Sequence, residues 1–469
     1  MFAAVSSFIK KIREPKPNDP FAVLPKNCCE NILQFLSGAE LLECSKVNKR
    51  WNSVIGKSES FEKKVRLKVS EIFGGALGSF TIHDVNFIIT NGRRYKHIKL
   101  FITRKLTSHH LLLLASFKWI SVRFYYHAFR TEIEMTNFFG IIEANVEELE
   151  LRDIRCIFSR KDNILAPNMI FPKLRTLRLA DCNTYIYSQI FQNVKTIQML
   201  HLETKIFSAV DYKDWEFIER VKAFQTILRN NQNLKVLGFY LHQTDFDNLF
   251  IDDKFLCGFK FQLEALKFKK FRKQPEPKSN TIQMENLQKF LSMHNKTLKY
   301  LELNEWLGND VLETVINTMD NLKTLAICEL ETYGTHDDSI ANMNFFKNES
   351  IESVSLHAGY SKFNELQRIL VGQFPNLKAL RIGTVNQPIL KVLVEKAHKL
   401  EHLETDFFTA FFPPDRSALR HLRSMRIHID YARHFKDILR DFSYYSNFET
   451  VFLNAAKTVD IFHKAHGIF

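Results

Sequence analysis

Hydrophobic positions recur along this chain in one short phrase, from about residue 95 to its end. An apolar residue is followed by two variable ones, a second apolar residue, one variable residue and a third apolar one. The phrase reads Leu174-x-x-Leu177-x-Leu179, Leu234-x-x-Leu237-x-Phe239, Leu263-x-x-Leu266-x-Phe268 and Leu298-x-x-Leu301-x-Leu303. It returns as Leu322-x-x-Leu325-x-Ile327, Ile351-x-x-Val354-x-Leu356 and Leu377-x-x-Leu380-x-Ile382. Its last two apolar positions alternate with variable ones, which is the period of a strand. Between copies lie stretches with helical spacing, at 284–293, 311–319, 363–371, 389–397 and 435–442. The predicted unit is strand, turn, helix, and the predicted class is α/β.

The central apolar positions fall at Ile98, Ile120, Leu149, Leu177, Ile197, Leu237, Leu266, Leu301, Leu325, Val354, Leu380, Leu403, Met425 and Val451. Their spacing is mostly that of a repeat of about 20–29 residues. The interval after Ile197 is the outlier, and residues 215–230 (WEFIERVKAFQTILRN), with a long helical pattern, predict an insertion or an enlarged helix there. Strands pack about 4.8 Å apart and helices about 10 Å. Stacked units with such unequal edges bend into a solenoid with the parallel sheet on its concave face. Residues between the last two apolar positions face that surface: Glu150, Arg178, Gln198, Gly238, Lys267, Glu302, Ala326, Ser355, Arg381, Glu404, Arg426 and Phe452. The pattern resembles the leucine-rich repeat family. The stretch FPKLRTLRLADC matches that family closely, with Cys182 in the terminal polar slot.

A different rhythm precedes the repeats. Residues 14–20 (EPKPNDP) hold three prolines and read as a linker. Pro25 then sits where a first helical turn tolerates proline. Cys29, Ile32, Leu33 and Leu36 come next at helical spacing. Ser37-x-x-Glu40 has the form of a capping box for a second helix carrying Leu41, Leu42 and Cys44. A third helix is predicted from about Asn48, with Trp51 and Val54. Three short helices make a core too small to be comfortable alone, so the module gains by packing on something else.

Leu24-Pro25, then Ile32, Leu33 and Leu36, then Leu41-Leu42, then Val47, Lys49, Arg50 and Trp51 resemble an F-box in order and spacing. Asn27 stands where that family often has an acidic residue, and Phe61 where it often has a second tryptophan. The resemblance implies docking on a Skp-type adaptor and, through it, a cullin scaffold. It implies that Leu24, Pro25, Leu33, Leu36, Leu41, Leu42 and Val47 form or support that contact. Ile32 and Trp51 are expected in the module's own core. The predicted organisation is a tail and proline-rich linker at 1–20, a three-helix F-box at 21–65, a transition at 66–94 and leucine-rich repeats at 95–469.

Composition narrows the chemistry. The net charge is +13, which favours acidic partners without naming one. Lys267, Lys269, Lys270, Arg272 and Lys273 form the densest basic cluster, a candidate patch for an acidic partner. The concave positions are mixed in sign, whereas a protein tracking a phosphate backbone needs a basic stripe. That argues against nucleic acid. The seven cysteines are scattered, with no C-x-x-C pair, and read as reduced thiols of the cytosol or nucleus. His398 and His402 are four apart but lack the glutamate of a zinc-protease helix. His109-His110 reads as an ordinary surface pair. Phosphate-cradling loops and hydrolase elbows are absent, as is an apolar run of the roughly 20 residues that cross a bilayer. No catalytic residue, metal or cofactor is expected. By resemblance, the chain is the substrate receptor of an SCF-type ubiquitin ligase, with an unidentified substrate protein on the repeats. The alternative is a repeat-based binding or scaffold protein that pairs with the adaptor without ligase output.

Overall fold

The computed structural model describes residues 24–463, apart from 63, 72–79, 92, 104, 158–168, 205–213, 243–248, 250–257, 272–280, 304–308, 329–344, 358–363, 409, 411–418, 430–449 and 456–457. The chain divides into two compact units, Met1–Thr204 with Tyr212–Asn233, and Lys205–Asp211 with Leu234–Phe469.

The first unit opens with four short helices, α1 (Lys26–Leu33), α2 (Gly38–Cys44), α3 (Lys49–Lys57) and α4 (Glu59–Glu62). Strand β1 (Leu67–Glu71) comes after them, then α5 (Ile82–Thr90), β2 (His97–Ile102), α6 (Ser108–Ala115) and β3 (Ser121–Tyr125). Next come β4 (Ala128–Phe129), α7 (Glu132–Ile142), β5 (Glu148–Arg152), β6 (Arg155–Cys156), β7 (Thr176–Ala180), a π-helical turn (Ile186–Ile190), β8 (Met199–Glu203) and α8 (Asp214–Asn230). The sheet order is β1-β2-β3-β5-β7-β8, all parallel, with β4 and β6 pairing separately.

The second unit contains β9 (Val236–His242), β10 (Ala265–Phe271), α9 (Thr281–Ser292), β11 (Tyr300–Leu303), α10 (Asn309–Thr318), β12 (Thr324–Cys328) and β13 (Ser353–His357). It continues with α11 (Asn364–Val371), β14 (Ala379–Val385), α12 (Gln387–Lys396), β15 (His402–Phe408), β16 (Ser424–Ile429), β17 (Thr450–Ala455) and β18 (Thr458–His463). Strands β9 to β17 pair in parallel in chain order, and β18 closes antiparallel on β17. The helical stretch expected at 435–442 lies outside the described residues.

Strand register tests the repeat phrase directly. In the second unit Leu237, Leu266, Leu301, Leu325, Val354, Leu380, Leu403, Met425 and Val451 stand in one row, as predicted. In the first unit the row is Leu67, Ile98, Val122, Leu149, Leu177 and Leu200. Ile120 and Ile197 therefore do not hold the central slots expected of them, and His201 replaces Gln198 on the outward side. Trp119 explains the first shift. It is buried, its indole N–H donates to the Leu114 carbonyl at 2.8 Å, and it takes the leading slot before Val122 and Phe124. At β8 the phrase is Ile197-x-x-Leu200-x-Leu202, and all three side chains are fully buried. Strand β1 adds a repeat inside the stretch expected to be a transition.

Polar side chains tie neighbouring repeats through a recurrent device. The residue before the leading apolar position sends its hydroxyl to the equivalent carbonyl one repeat back. Thr196 donates to Leu174 at 2.7 Å, Thr297 to Leu263 at 2.9 Å and Ser350 to Leu322 at 2.8 Å. Each such bond satisfies a carbonyl that packing would otherwise leave dry.

Three strands of the first unit end in the left-handed region. Tyr126, Asp153 and Asp181 have φ of 59°, 53° and 52°, and each N–H donates to the strand beside it. Aspartate tolerates this conformation, whereas in tyrosine it costs about 1–2 kcal/mol.

Candidate adaptor-docking site

The first helices owe their shape to local chemistry. The capping box forms: Ser37 N–H donates to Glu40 Oε2 at 2.7 Å, and Glu40 N–H to Ser37 Oγ at 3.3 Å. These bonds hold the Glu40 carboxyl below its usual range. Asn48 caps α3 by accepting from Trp51 N–H at 2.9 Å. Gly38 is forced by contact, since a Cβ there would lie 2.1 Å from the Lys64 carbonyl oxygen. The helices close over Cys29, Leu33, Leu41, Cys44, Trp51, Ile55 and Phe61, all buried. Phe61 thus fills an aromatic place in the core. Burial pushes the Cys44 thiol up, away from the reactive thiolate.

A clasp fixes this module to the first repeats. The Arg93 guanidinium donates to Asn52 Oδ1 from Nε at 3.1 Å and from Nη2 at 2.8 Å, and also to Ser45 Oγ. Lys96 pairs with the buried Glu62 carboxylate.

Exposure sorts the predicted contact residues, and several change places. Leu33 and Leu41 are buried in the module's interior, so neither offers a surface to a visitor. Ile32, expected in the core, is 48% exposed. The reason is helical phase. Cys29 and Leu33, four apart, face inward, and Ile32 is turned about 100° from Leu33. Pro25 is exposed, Val47 is 38% exposed, and Leu24, Leu36 and Leu42 are half-buried. Trp51 is buried. Sequence reasoning missed Phe35, the most exposed large apolar side chain among the described residues at 83%. The missed signal was its place three residues after Ile32, in the turn that follows a helix whose other face already fills the core. Among the described residues Ile32, Phe35 and Val47 are the exposed large apolar side chains of this module, with Pro25 exposed and Leu42 half-buried.

The module matches the F-box domain family over residues 21–63. Residues 21–63 are an F-box domain. Beyond the F-box the chain's parallel strands stack in the register described above, at the spacing of leucine-rich repeats. No curated protein matches the chain in sequence. Among solved structures it is similar to the leucine-rich repeat protein LegL7 from Legionella pneumophila, at 16% identity and TM-score 0.34, covering 72% of this chain and 99% of that one. A TLR13–ssRNA13 complex is similar at 13% identity and TM-score 0.40, over 84% of this chain and 60% of that one. The circular leucine-rich repeat protein CroV588 is similar at 12% identity and TM-score 0.31, over 74% and 55%.

Other predicted sites fare differently. The Lys267 ammonium is already committed, 3.0 Å from Glu302 and 5.0 Å above the Tyr300 ring. Lys269 and Lys270 lie on β10, and Arg272 and Lys273 lie outside the described residues. His110 is no surface residue: it is buried, with Nδ1 2.7 Å from Thr107 Oγ1 and Nε2 3.6 Å from Glu71. Among the described residues no helix is long and apolar enough to cross a membrane, and no cluster of His, Cys, Asp and Glu could hold a metal.

Proposed function

We propose that this chain is the substrate-recognition subunit of an SCF-type ubiquitin ligase. F-box domains bind Skp-type adaptors in SCF complexes. Here the adaptor seats on Phe35, Ile32, Val47 and Pro25, with Leu24, Leu36 and Leu42 at the margin. The carrying observation is Phe35, an aromatic left in water beside a module whose core is already full. The repeats bind the protein to be ubiquitinated. The chain itself makes and breaks no bond. It raises the local concentration of a substrate lysine near the charged ubiquitin carrier that the cullin recruits. Among the described residues the thiols of Cys28, Cys44, Cys156 and Cys182 form no disulfide, which fits a reducing compartment, cytosol or nucleus.

The test is affinity capture with the full chain beside a double variant, Ile32→Ala with Phe35→Ala. Neither side chain belongs to the core, so the variant folds. Losing one aromatic anchor costs an interface about 2 kcal/mol or more, roughly thirtyfold. The adaptor and cullin should disappear from the variant, while proteins held by the repeats remain. Adaptor retained by the variant would sink this placement, and adaptor without cullin would favour the scaffold alternative.

A further inference from the structure

We propose, building on the receptor reading above, that the outward face of β1, β2 and β3 binds an acidic peptide segment of a partner protein, with ligand carboxylates held by Lys68 and Lys99 over an aromatic floor of Phe101, Tyr125 and Tyr126. Lys68 and Lys99 are direct neighbours across parallel strands, and Arg123 stands next in the same row. Like charges side by side on adjacent strands are destabilising. Arg123 has its answer in Glu150, at 3.3 Å. Among the described residues neither lysine reaches a carboxylate. Instead, the Lys68 ammonium lies 5.4 Å from the Phe101 ring centroid, and that of Lys99 lies 4.7 Å from Phe101 and 4.9 Å from Tyr125. Those rings stack at 4.9 Å and 16°. A ring face steadies an ammonium from one side and leaves its other N–H donors open.

Tyr126 is the independent observation. It occupies the left-handed slot where the next repeats place Asp153 and Asp181, and it is 50% exposed. Its ring is 6.5 Å from that of Phe101, and its hydroxyl makes no hydrogen bond among the described residues. The fold alone would favour Asn or Asp here. What tyrosine adds is a half-exposed ring next to Phe101, the ring that both lysines overlie.

The length of the basic run chooses between polyanions. It crosses three strands, about 10 Å from first to third, and stops at Glu148 and Glu150 on β5. Two or three carboxylates of a peptide fit that span, whereas a longer phosphate backbone would run into those glutamates.

Fluorescence anisotropy on the full chain tests this, with a labelled peptide of Glu-Asp-Phe-Gly repeats, its Gln-Asn-Phe-Gly counterpart and a single-stranded oligoribonucleotide. The acidic peptide should bind, and its neutral counterpart should bind about tenfold more weakly. The double variant Lys68→Gln with Lys99→Gln should lose about tenfold. Tyr126→Asn should weaken binding by about threefold while the unfolding midpoint holds or rises. Unchanged affinity in the lysine variant, or tighter binding of the oligoribonucleotide, overturns the proposal. Adaptor capture on the same preparations separates the two readings. Adaptor bound with no acidic peptide sinks this site alone. Peptide bound with no adaptor sinks the receptor reading alone.

Discussion

The outward strand faces of the two units treat charge differently. In the second unit, cations and carboxylates alternate and pair. Lys267 meets Glu302, and Glu404 lies between Arg381 and Arg426, at 3.3 and 3.6 Å. One row nearer the strand starts, Glu264 bridges Lys235 and Lys299, and Glu352 bridges Lys378 and Lys323. Hydrogen bonds from Lys378 and Lys323 pull the Glu352 carboxyl down to about 2. The first unit begins instead with Lys68, Lys99 and Arg123 in adjacent slots, and among the described residues it supplies a carboxylate only for the third. A repeat protein can satisfy its own surface or leave part of it unanswered. The unanswered part is where an outside partner gains most, because its charges replace no existing pair.

The largest predicted effect concerns which residues hold the first unit together. Trp119→Ala should cost about 3–5 kcal/mol, as aromatic truncations in cores do, whereas the half-buried Ile120→Ala should cost under about 1.5 kcal/mol. Urea unfolding midpoints of the two variants measure the difference. Equal losses would mean that Ile120 shares the leading role, and the register contrast between the units would disappear.

That contrast also explains what could be read from sequence. In the second unit the regular spacing of the copies picks out the rows, although Val236-x-x-Phe239-x-Leu241 also fits the phrase. In the first unit Phe117-x-x-Ile120-x-Val122 and Trp119-x-x-Val122-x-Phe124 both satisfy the template, and the same ambiguity recurs around Ile197. Only packing separates them: the indole of Trp119 needs a buried place with a carbonyl in reach. Strand β1 escaped notice because Lys64 occupies its leading apolar slot. The F-box was legible as a family resemblance, through Leu24-Pro25, the capping box and Trp51. Which of two adjacent apolar residues, Ile32 or Leu33, turned inward was not, because it depends on how α1 lies against α2 and α3. The cation–aromatic face needed the register itself, since Lys68, Lys99 and Phe101 become neighbours only when β1 and β2 are aligned.

A second effect, somewhat smaller, belongs to the interior of the second unit. His294 is fully buried, with Phe261 stacked on it at 5.7 Å and Phe290 edge-on at 4.9 Å. Its Nδ1 accepts from Leu263 N–H at 3.5 Å, and burial pulls its pKa down to about 4. Near and below pH 6.5 the unfolded chain takes up a proton that the folded chain refuses, so stability falls as pH falls. The loss should reach about 3 kcal/mol near pH 4 and level off below it. His294→Gln keeps an acceptor for Leu263 and removes the titration. Melting followed from pH 7 to pH 4 should show a shallower decline for the variant than for the parent. Parallel declines would place the acid sensitivity elsewhere, with His97 and His110 of the first unit as the next candidates because burial depresses both.

The smallest effect is the most pointed test of the contrast between the faces. Lys267 over Tyr300 repeats the geometry of Lys99 over Tyr125, at 5.0 and 4.9 Å, but with Glu302 in place. The Tyr300 hydroxyl also donates to Glu302, at 2.7 Å. Glu302→Gln removes the negative charge, keeps an acceptor for Tyr300, and leaves Lys267 in the condition of Lys99. Because the pair is only partly shielded from water, the stability change should stay within about 1 kcal/mol. Binding of the acidic peptide should tighten by about two- to threefold as a second cation–aromatic seat opens, and the gain should fade with added salt. A variant that binds no better than the parent would show that an unanswered lysine over a ring is insufficient. Recognition at the first unit would then depend on Tyr126, for which the second unit's described strands offer no counterpart in the left-handed slot.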